Sequence, residues 1–381
     1  MFLNKFFNNI VFFKVIIQSK HLALKRRFCL YFYKNYDPYP KVPSGLNFSP
    51  SKFHENYANK IIPKISFENT EDSKDVFQEK TREKIKNLIG FEKNLEFKII
   101  NSKEYIYKKK YIRKRFLIRL DKDREMPIET LLKISEKNLK GVMVCMQGTN
   151  SGSHLNFGEI KMPIDPFKVH AGSSLAIQAA DNGYIAISFD RIGYGERREK
   201  NLKKQSILPV MDISLHSLAL GKSLLGETVS EIYVICKHFK NFYNLPLWLV
   251  GYSSAGSVAT VAGALFNNLI NGICVGGCIG SFKETIMKRG GTAHLEIKDC
   301  IKWFDQDVLI QLMAPRPCIM IAGDKDHIWP YSGAIIIYEK SKKIYQLYNA
   351  KKFLTLIKAI GVHTYYPKLM WSSINFYIKD N

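Results

Sequence analysis

Late in the chain, a serine, an aspartate and a histidine follow one another in an order that could turn an alcohol into a nucleophile. The serine lies in Leu247 to Leu265, LWLVGYSSAGSVATVAGAL, preceded by Pro246. Leu247, Trp248, Leu249 and Val250 form a short apolar run, and Gly251 to Gly256 read as a tight turn. The stretch beyond, rich in Ala, Val and Leu, has the spacing of a buried helix. A strand, a sharp turn and a helix with a serine at the apex hold that serine in a strained conformation and lift its hydroxyl above the sheet edge. Small residues two positions before and after it allow strand and helix to approach. Gly251 and Ala255 fill those places around Ser253, a G-x-S-x-A pattern with Gly256 one step later. With Ser254 as nucleophile, bulky Tyr252 would occupy a small-residue place, so Ser253 is the candidate.

A serine hydroxyl is a poor nucleophile at neutral pH and needs a base within reach and an acid to orient that base. Ile319 to Pro330 reads as a buried strand running into a polar turn, which would carry a carboxylate to the sheet edge level with Ser253. Asp326 is the candidate acid, with Asp324 as the alternative two residues earlier. Gly361-Val362-His363-Thr364 offers His363 as the base, in a loop before the last helix. A lone Asp in a turn usually shapes the turn, and a lone histidine is usually structural. The ordered set of all three carries the reading. An oxyanion formed on attack also needs backbone donors. One is the N–H of Ser254; the second is that of Thr149 or Gly148, in the loop after the strand ending at Met146. Gly148 as a plain turn glycine is the bland alternative.

The elements that must position these residues alternate as strand and helix from Lys140 onward, the pattern of an α/β fold with a parallel sheet. Gly141–Met146, Tyr184–Phe189, Leu247–Val250, Ile273–Ile279 and Pro317–Ala322 are continuous apolar runs, as expected of strands buried on both faces. Helices are predicted over Ala171–Asn182, ended by Gly183, and over the long stretch Leu215–Phe242. Upstream, Asp72–Ile89 reads as an amphipathic helix stopped by Gly90. Leu95–Ile100, Tyr105–Tyr111, Arg113–Leu120 and Ile128–Lys133 read as antiparallel edge strands. The lysines 108–110 fit an edge protected by charge. The charged, irregular stretch around 196–214 reads as a lid or insertion. Residues 1–66, a basic and apolar segment followed by a proline-rich extended linker, precede a domain over 67–381.

At 381 residues, 46% hydrophobic and 24% charged, the composition is that of a soluble globular protein with a sizeable core. The formal net charge of +23 favours anionic partners in principle. No nucleic-acid module accompanies it, so a lysine-rich solvated surface is the expectation and no nucleic-acid partner is assigned. The seven cysteines have no C-x-x-C spacing. Cys236, Cys274, Cys278 and Cys318 sit in apolar runs, which points to free thiols in a reducing, cytoplasmic setting. Residues 1–34 lack the unbroken apolar run and cleavage site of a signal peptide, since Asn8, Asn9 and Lys14 interrupt them. A packed or frayed helix is expected there, with a peripheral membrane contact left open. Oligomeric state is not readable.

Taken as a series, these pieces resemble the α/β-hydrolases of the dienelactone-hydrolase and acetyl-xylan-esterase-like branch, over roughly Phe77 to the C-terminus. The matching residues are Met146-Gln147-Gly148, the loop Asp190-Arg191-Ile192-Gly193-Tyr194-Gly195-Glu196, Gly221 to Glu227, Gly251 to Gly256, Ala314 to Pro317 and Gly323-Asp324-Lys325-Asp326. The chain departs at Gln147, where many relatives carry histidine, and at Ala255. Dienelactone hydrolases proper use a cysteine nucleophile where Ser253 stands here. The resemblance implies an α/β-hydrolase sandwich, mainly parallel, with antiparallel N-terminal edge strands. It implies a serine hydrolase of carboxylic esters, often small acyl groups on sugars, with no metal or organic cofactor and a small-molecule or carbohydrate ester as partner. A peptidase, a thioesterase or an inactive binding protein on the same scaffold are the alternatives.

Overall fold

Nine strands form one mixed sheet that carries the candidate residues on its parallel half. The structure is a computed structural model and describes residues 2–32, 39–202, 209–287 and 297–379. The strands are β1 (Lys98–Tyr107), β2 (Tyr111–Asp121), β3 (Arg124–Lys133), β4 (Gly141–Met146) and β5 (Tyr184–Phe189), then β6 (Leu247–Tyr252), β7 (Gly272–Gly276), β8 (Cys318–Gly323) and β9 (Leu354–Ala359). Their spatial order is β1-β2-β3-β5-β4-β6-β7-β8-β9. β1, β2, β3 and β5 pair antiparallel in succession, and β5, β4, β6, β7, β8 and β9 pair parallel. The mainly parallel sheet with an antiparallel N-terminal edge is therefore as expected.

β4, β5, β6 and β8 are buried at every residue, because helices cover both faces. Two apolar clusters result, one on each face: Val144, Leu249 and Met320 point into the first, Cys145, Val250 and Ile321 into the second.

Several boundaries differ from the sequence reading. Four edge segments become three strands: the end of Leu95–Ile100 and the start of Tyr105–Tyr111 run on as one strand, β1, and Lys108 and Lys109 at positive φ (48° and 54°) turn the chain into β2. The single helix expected over Leu215–Phe242 is two, Pro209–Ala219 and Leu224–Tyr243. Gly221 at φ 74° ends the first, and the Ser223 hydroxyl accepts from the Gly226 N–H to cap the second. Apolar periodicity runs straight through this break, which hides it. The helix expected from Ala171 begins at Leu175, after Gly172 at φ 95°. The expected linker Asn35–Ser66 contains a helix, Pro50–Asn59. Proline is tolerated in a first helical turn, where its missing N–H has no intrahelical acceptor to lose.

The chain divides into two compact units, Met1–Lys52 and Phe53–Asn381. Phe2–Phe32 form a helix. Among the described residues no helix is long and apolar enough to cross a membrane. Of the expected lid around 196–214, residues 203–208 lie outside the described residues. Gly195–Arg197 make a short 3-10 turn within it. All seven cysteines are unpaired thiols.

Candidate active site

Ser253 connects β6 to the helix Ser254–Leu265 with φ 56° and ψ −129°, a conformation that costs a non-glycine residue about 1–3 kcal/mol. Its N–H donates to the Gly276 carbonyl at 2.8 Å and its carbonyl accepts from the Ser257 N–H at 3.1 Å, so strand and helix both hold the turn. Gly251 is required here, since a Cβ would stand 2.5 Å from the Ala255 carbonyl oxygen. The Ala255 methyl, by contrast, is accommodated and wholly buried. The departure from glycine at that place leaves the turn tight.

The structure brings Ser253, His363 and Asp326 together from three separate segments. Ser253 Oγ lies 3.1 Å from His363 Nε2, and His363 Nδ1 lies 2.7 Å from Asp326 Oδ2. The other carboxylate oxygen, Oδ1, accepts from the N–H groups of Ile328 and Trp329 at 2.8 and 2.9 Å. Burial pushes the Asp326 carboxyl up, but the His363 hydrogen bond and these N–H donors outweigh it and hold it below its usual range. The alternatives are separated by the same geometry. Asp324 Oδ1 accepts from the Gly361 N–H at 2.9 Å, bracing the loop that delivers His363. Ser254 Oγ receives hydrogen bonds from Thr149 Oγ1 at 3.1 Å and from Arg191 Nη2 at 2.9 Å.

Gly148 passes against the elbow so closely that a Cβ would stand 2.7 Å from the Tyr252 carbonyl oxygen and 3.2 Å from Ser253 Cβ. Both candidates for the second oxyanion donor, Gly148 and Thr149, line the cleft at Ser253. The Ser254 N–H opens a helix, where the first-turn donors have no intrahelical acceptor.

Sequence reasoning passes over the groups that hold this loop. Gln147 is a buried hub. Its Nε2 donates to Asn156 Oδ1 at 2.6 Å and to the Ser173 carbonyl at 2.7 Å, while its Oε1 accepts from the Tyr365 hydroxyl at 2.7 Å and Asn150 Nδ2 at 3.0 Å. Tyr252 and Tyr365 pack at 4.7 Å with their rings tilted by 34°, and Tyr252 lies 5.0 Å from the His363 ring, confining the imidazole. Asn150 and Asn156 follow closely in the chain, whereas Ser173 and Tyr365 are brought in by folding. Only the unusual glutamine beside Gly148 could have flagged them.

The nucleophile opens on a cleft of about 280 Å³ lined by Thr149, Ser253, Ile328, Trp329 and His363. A larger cleft of about 600 Å³, lined by charged and apolar side chains alike, adjoins it through Thr149 and Asn150. Among the described residues no group of three His, Cys, Asp or Glu side chains could hold a metal ion.

No protein-family model and no curated protein matches the chain in sequence. Solved structures do match in shape. A candidate acetyl xylan esterase from Bacteroides fragilis superposes with a TM-score of 0.66 at 16% identity, over 84% of each chain. A glucuronoyl esterase from Solibacter usitatus gives 0.58 at 11% identity, over 84% of this chain and 98% of its own. One from Teredinibacter turnerae gives 0.57 at 13% identity, over 94% and 99%. The fold is that of the α/β-hydrolases. Within an α/β-hydrolase fold, a serine on the strand-to-helix turn, an acid after a later strand and a histidine after the last one meet at the same sheet edge. Ser253 after β6, Asp326 after β8 and His363 after β9 occupy those places.

Proposed function

We propose that the protein is a serine hydrolase of carboxylic esters, acting on small acyl groups carried by carbohydrates. The observation that carries this reading is the hydrogen-bond chain from Ser253 through His363 to Asp326, built on a strained elbow. His363 Nε2 takes the Ser253 proton as Oγ attacks the ester carbonyl, and Asp326 orients and stabilises the imidazolium. The negative charge on the carbonyl oxygen meets the N–H groups of Ser254 and Thr149. The imidazolium then gives its proton to the leaving alkoxide. Water, deprotonated by His363, attacks the acyl-enzyme and releases the carboxylate.

The substrate class is supported by the unequal clefts. The smaller space at Ser253 suits a short acyl group, and the adjoining one, lined by Glu129, Lys161, Asp190, Glu196 and Arg198, suits a polar alcohol. The similar structures are named for esters of xylan and of a glucuronoyl group. The test is hydrolysis of p-nitrophenyl acetate, longer acyl esters and acetylated xylo-oligosaccharides, with Ser253→Ala alongside. Turnover is expected to favour short acyl groups and to drop by about 10⁵-fold or more in the variant. A wild type inert toward every ester would refute the reading.

A further inference from the structure

Arg191 is 2% exposed and sits behind the loop that follows β4. Its Nε donates to the Gln147 carbonyl at 3.1 Å, and its Nη2 donates to the Gly148 carbonyl at 3.0 Å and to Ser254 Oγ at 2.9 Å. Its guanidinium lies 4.8 Å over the Tyr194 ring. Among the described residues no carboxylate hydrogen-bonds to it or ion-pairs with it. Asp190, its neighbour in the chain, spends its two oxygens on the N–H groups of Ser153 and Glu196. Arg197 shows the more usual arrangement, a fork on Glu231 at 2.6 and 2.7 Å. Burying a cation without a paired anion is costly, and Nη1 has no hydrogen-bond partner among the described residues, so Nε and Nη2 carry the compensation through these acceptors.

Two other inward-facing arginines also bind backbone carbonyls. Arg82 reaches Ala264 and Leu312, and Arg316 reaches Ile270 and Leu312. Those contacts join helix ends and loops away from the Ser253 cleft. Arg191 differs in what it ties. The Gly148 carbonyl and the Thr149 N–H belong to one planar trans peptide, so they point in opposite directions. A guanidinium fixed on that carbonyl turns the Thr149 N–H away from the protein interior, and Thr149 lines the cleft. A charge-assisted hydrogen bond on the carbonyl also polarises the amide and makes its N–H a stronger donor. Through Ser254 Oγ the same guanidinium reaches the residue that supplies the other backbone donor.

Resting on the serine-hydrolase reading, we infer that Arg191 is a positioning residue. It clamps the Gly148–Thr149 peptide to the elbow, so that the Thr149 and Ser254 N–H groups converge on the developing oxyanion. Arg191→Lys keeps the charge and loses the fork; Ser254→Ala removes the tie to the elbow and keeps the arginine. The experiment measures kcat and KM for an activated acetate ester, together with affinity for an alkyl boronic acid, whose serine adduct places an oxygen in the oxyanion position. Arg191→Lys is expected to lower kcat and boronate affinity by about 100-fold, with KM within about threefold of wild type. Ser254→Ala is expected to show the same pattern at about tenfold. A purely structural arginine would lower Tm and leave kcat and boronate affinity of the folded protein within about twofold, which overturns the clamp. If Arg191→Lys does not fold, Ser254→Ala decides by the same criterion. A wild type that neither turns over esters nor binds the boronate defeats the underlying hydrolase reading, a failure seen without any variant.

Discussion

Among the described residues, serine, histidine and aspartate meet in two places, and the two clusters differ in what the histidine does. At the elbow, His363 uses a separate nitrogen for each partner, Nε2 for Ser253 and Nδ1 for Asp326. In the loop beyond Gly148, His154 Nε2 faces Asp165 at 2.8 Å and Ser151 at 3.4 Å, and the Ser151 hydroxyl donates straight to Asp165. Asp165 also accepts from the N–H groups of Lys161 and Met162 at 2.8 and 2.7 Å. The serine proton there is spent on the carboxylate, with no base placed to remove it. The first cluster can pass a proton. The second is a staple for the loop that begins at Gln147. Residue types alone therefore do not make a nucleophile; the division of labour between the two imidazole nitrogens does.

Substituting the two aspartates in parallel sharpens the contrast. Asp326→Asn should leave the far-UV circular dichroism unchanged and lower kcat by about 10⁴-fold, because the amide orients the imidazole wrongly and cannot stabilise its charged form. Retention of wild-type kcat would remove Asp326 from the mechanism. Next in size is Gly148→Ala, whose added methyl has no room beside the Tyr252 carbonyl and Ser253 Cβ. Displacing the oxyanion loop should cost about 10²–10³-fold in kcat, read against the Tm of the same sample.

Asp165→Asn should do the reverse of Asp326→Asn, weakening the fold more than the turnover of the folded protein. Burial pushes the Asp165 carboxyl up, but the Ser151 and His154 side chains and two backbone N–H groups outweigh it and hold it down at about 2. A depressed native pKa stabilises the fold above the ordinary carboxylate value, about 3.9, and that gain is lost as pH falls from about 4 toward about 2. Urea unfolding should therefore show Asp165→Asn about 2 kcal/mol less stable at pH 7, with the deficit shrinking as pH is lowered through that window. An equal deficit across the window would mean that the staple is not electrostatic.

The parts that sequence reveals are those where one short stretch holds the whole signal. β4, β5, β6 and β8 are buried on both faces and read as apolar runs, and the G-x-S-x-A turn carries its own small residues. β9 gives no such signal: Leu354–Ala359 is half-exposed along the sheet edge and includes Lys358, so the strand that delivers His363 goes unread. What braces the loop of Gly148 and Thr149 is hidden in the sequence because one brace, the Tyr365 hydroxyl on Gln147 Oε1, lies more than 200 residues away along the chain. Arg191 is visible only as one letter of a D-x-x-G-x-G loop. Its acceptors, two backbone carbonyls and the hydroxyl of Ser254, are contacts made by tertiary folding.

The central claim is that Ser253, and not its neighbour Ser254, is the activated alcohol. The most direct measurement is treatment of the folded protein with a fluorophosphonate, followed by intact mass and peptide mapping. The account predicts one adduct per chain, on Ser253, and none in Ser253→Ala. An adduct on Ser254 or Ser151, or ester turnover that persists with Ser253 unmodified, would contradict it.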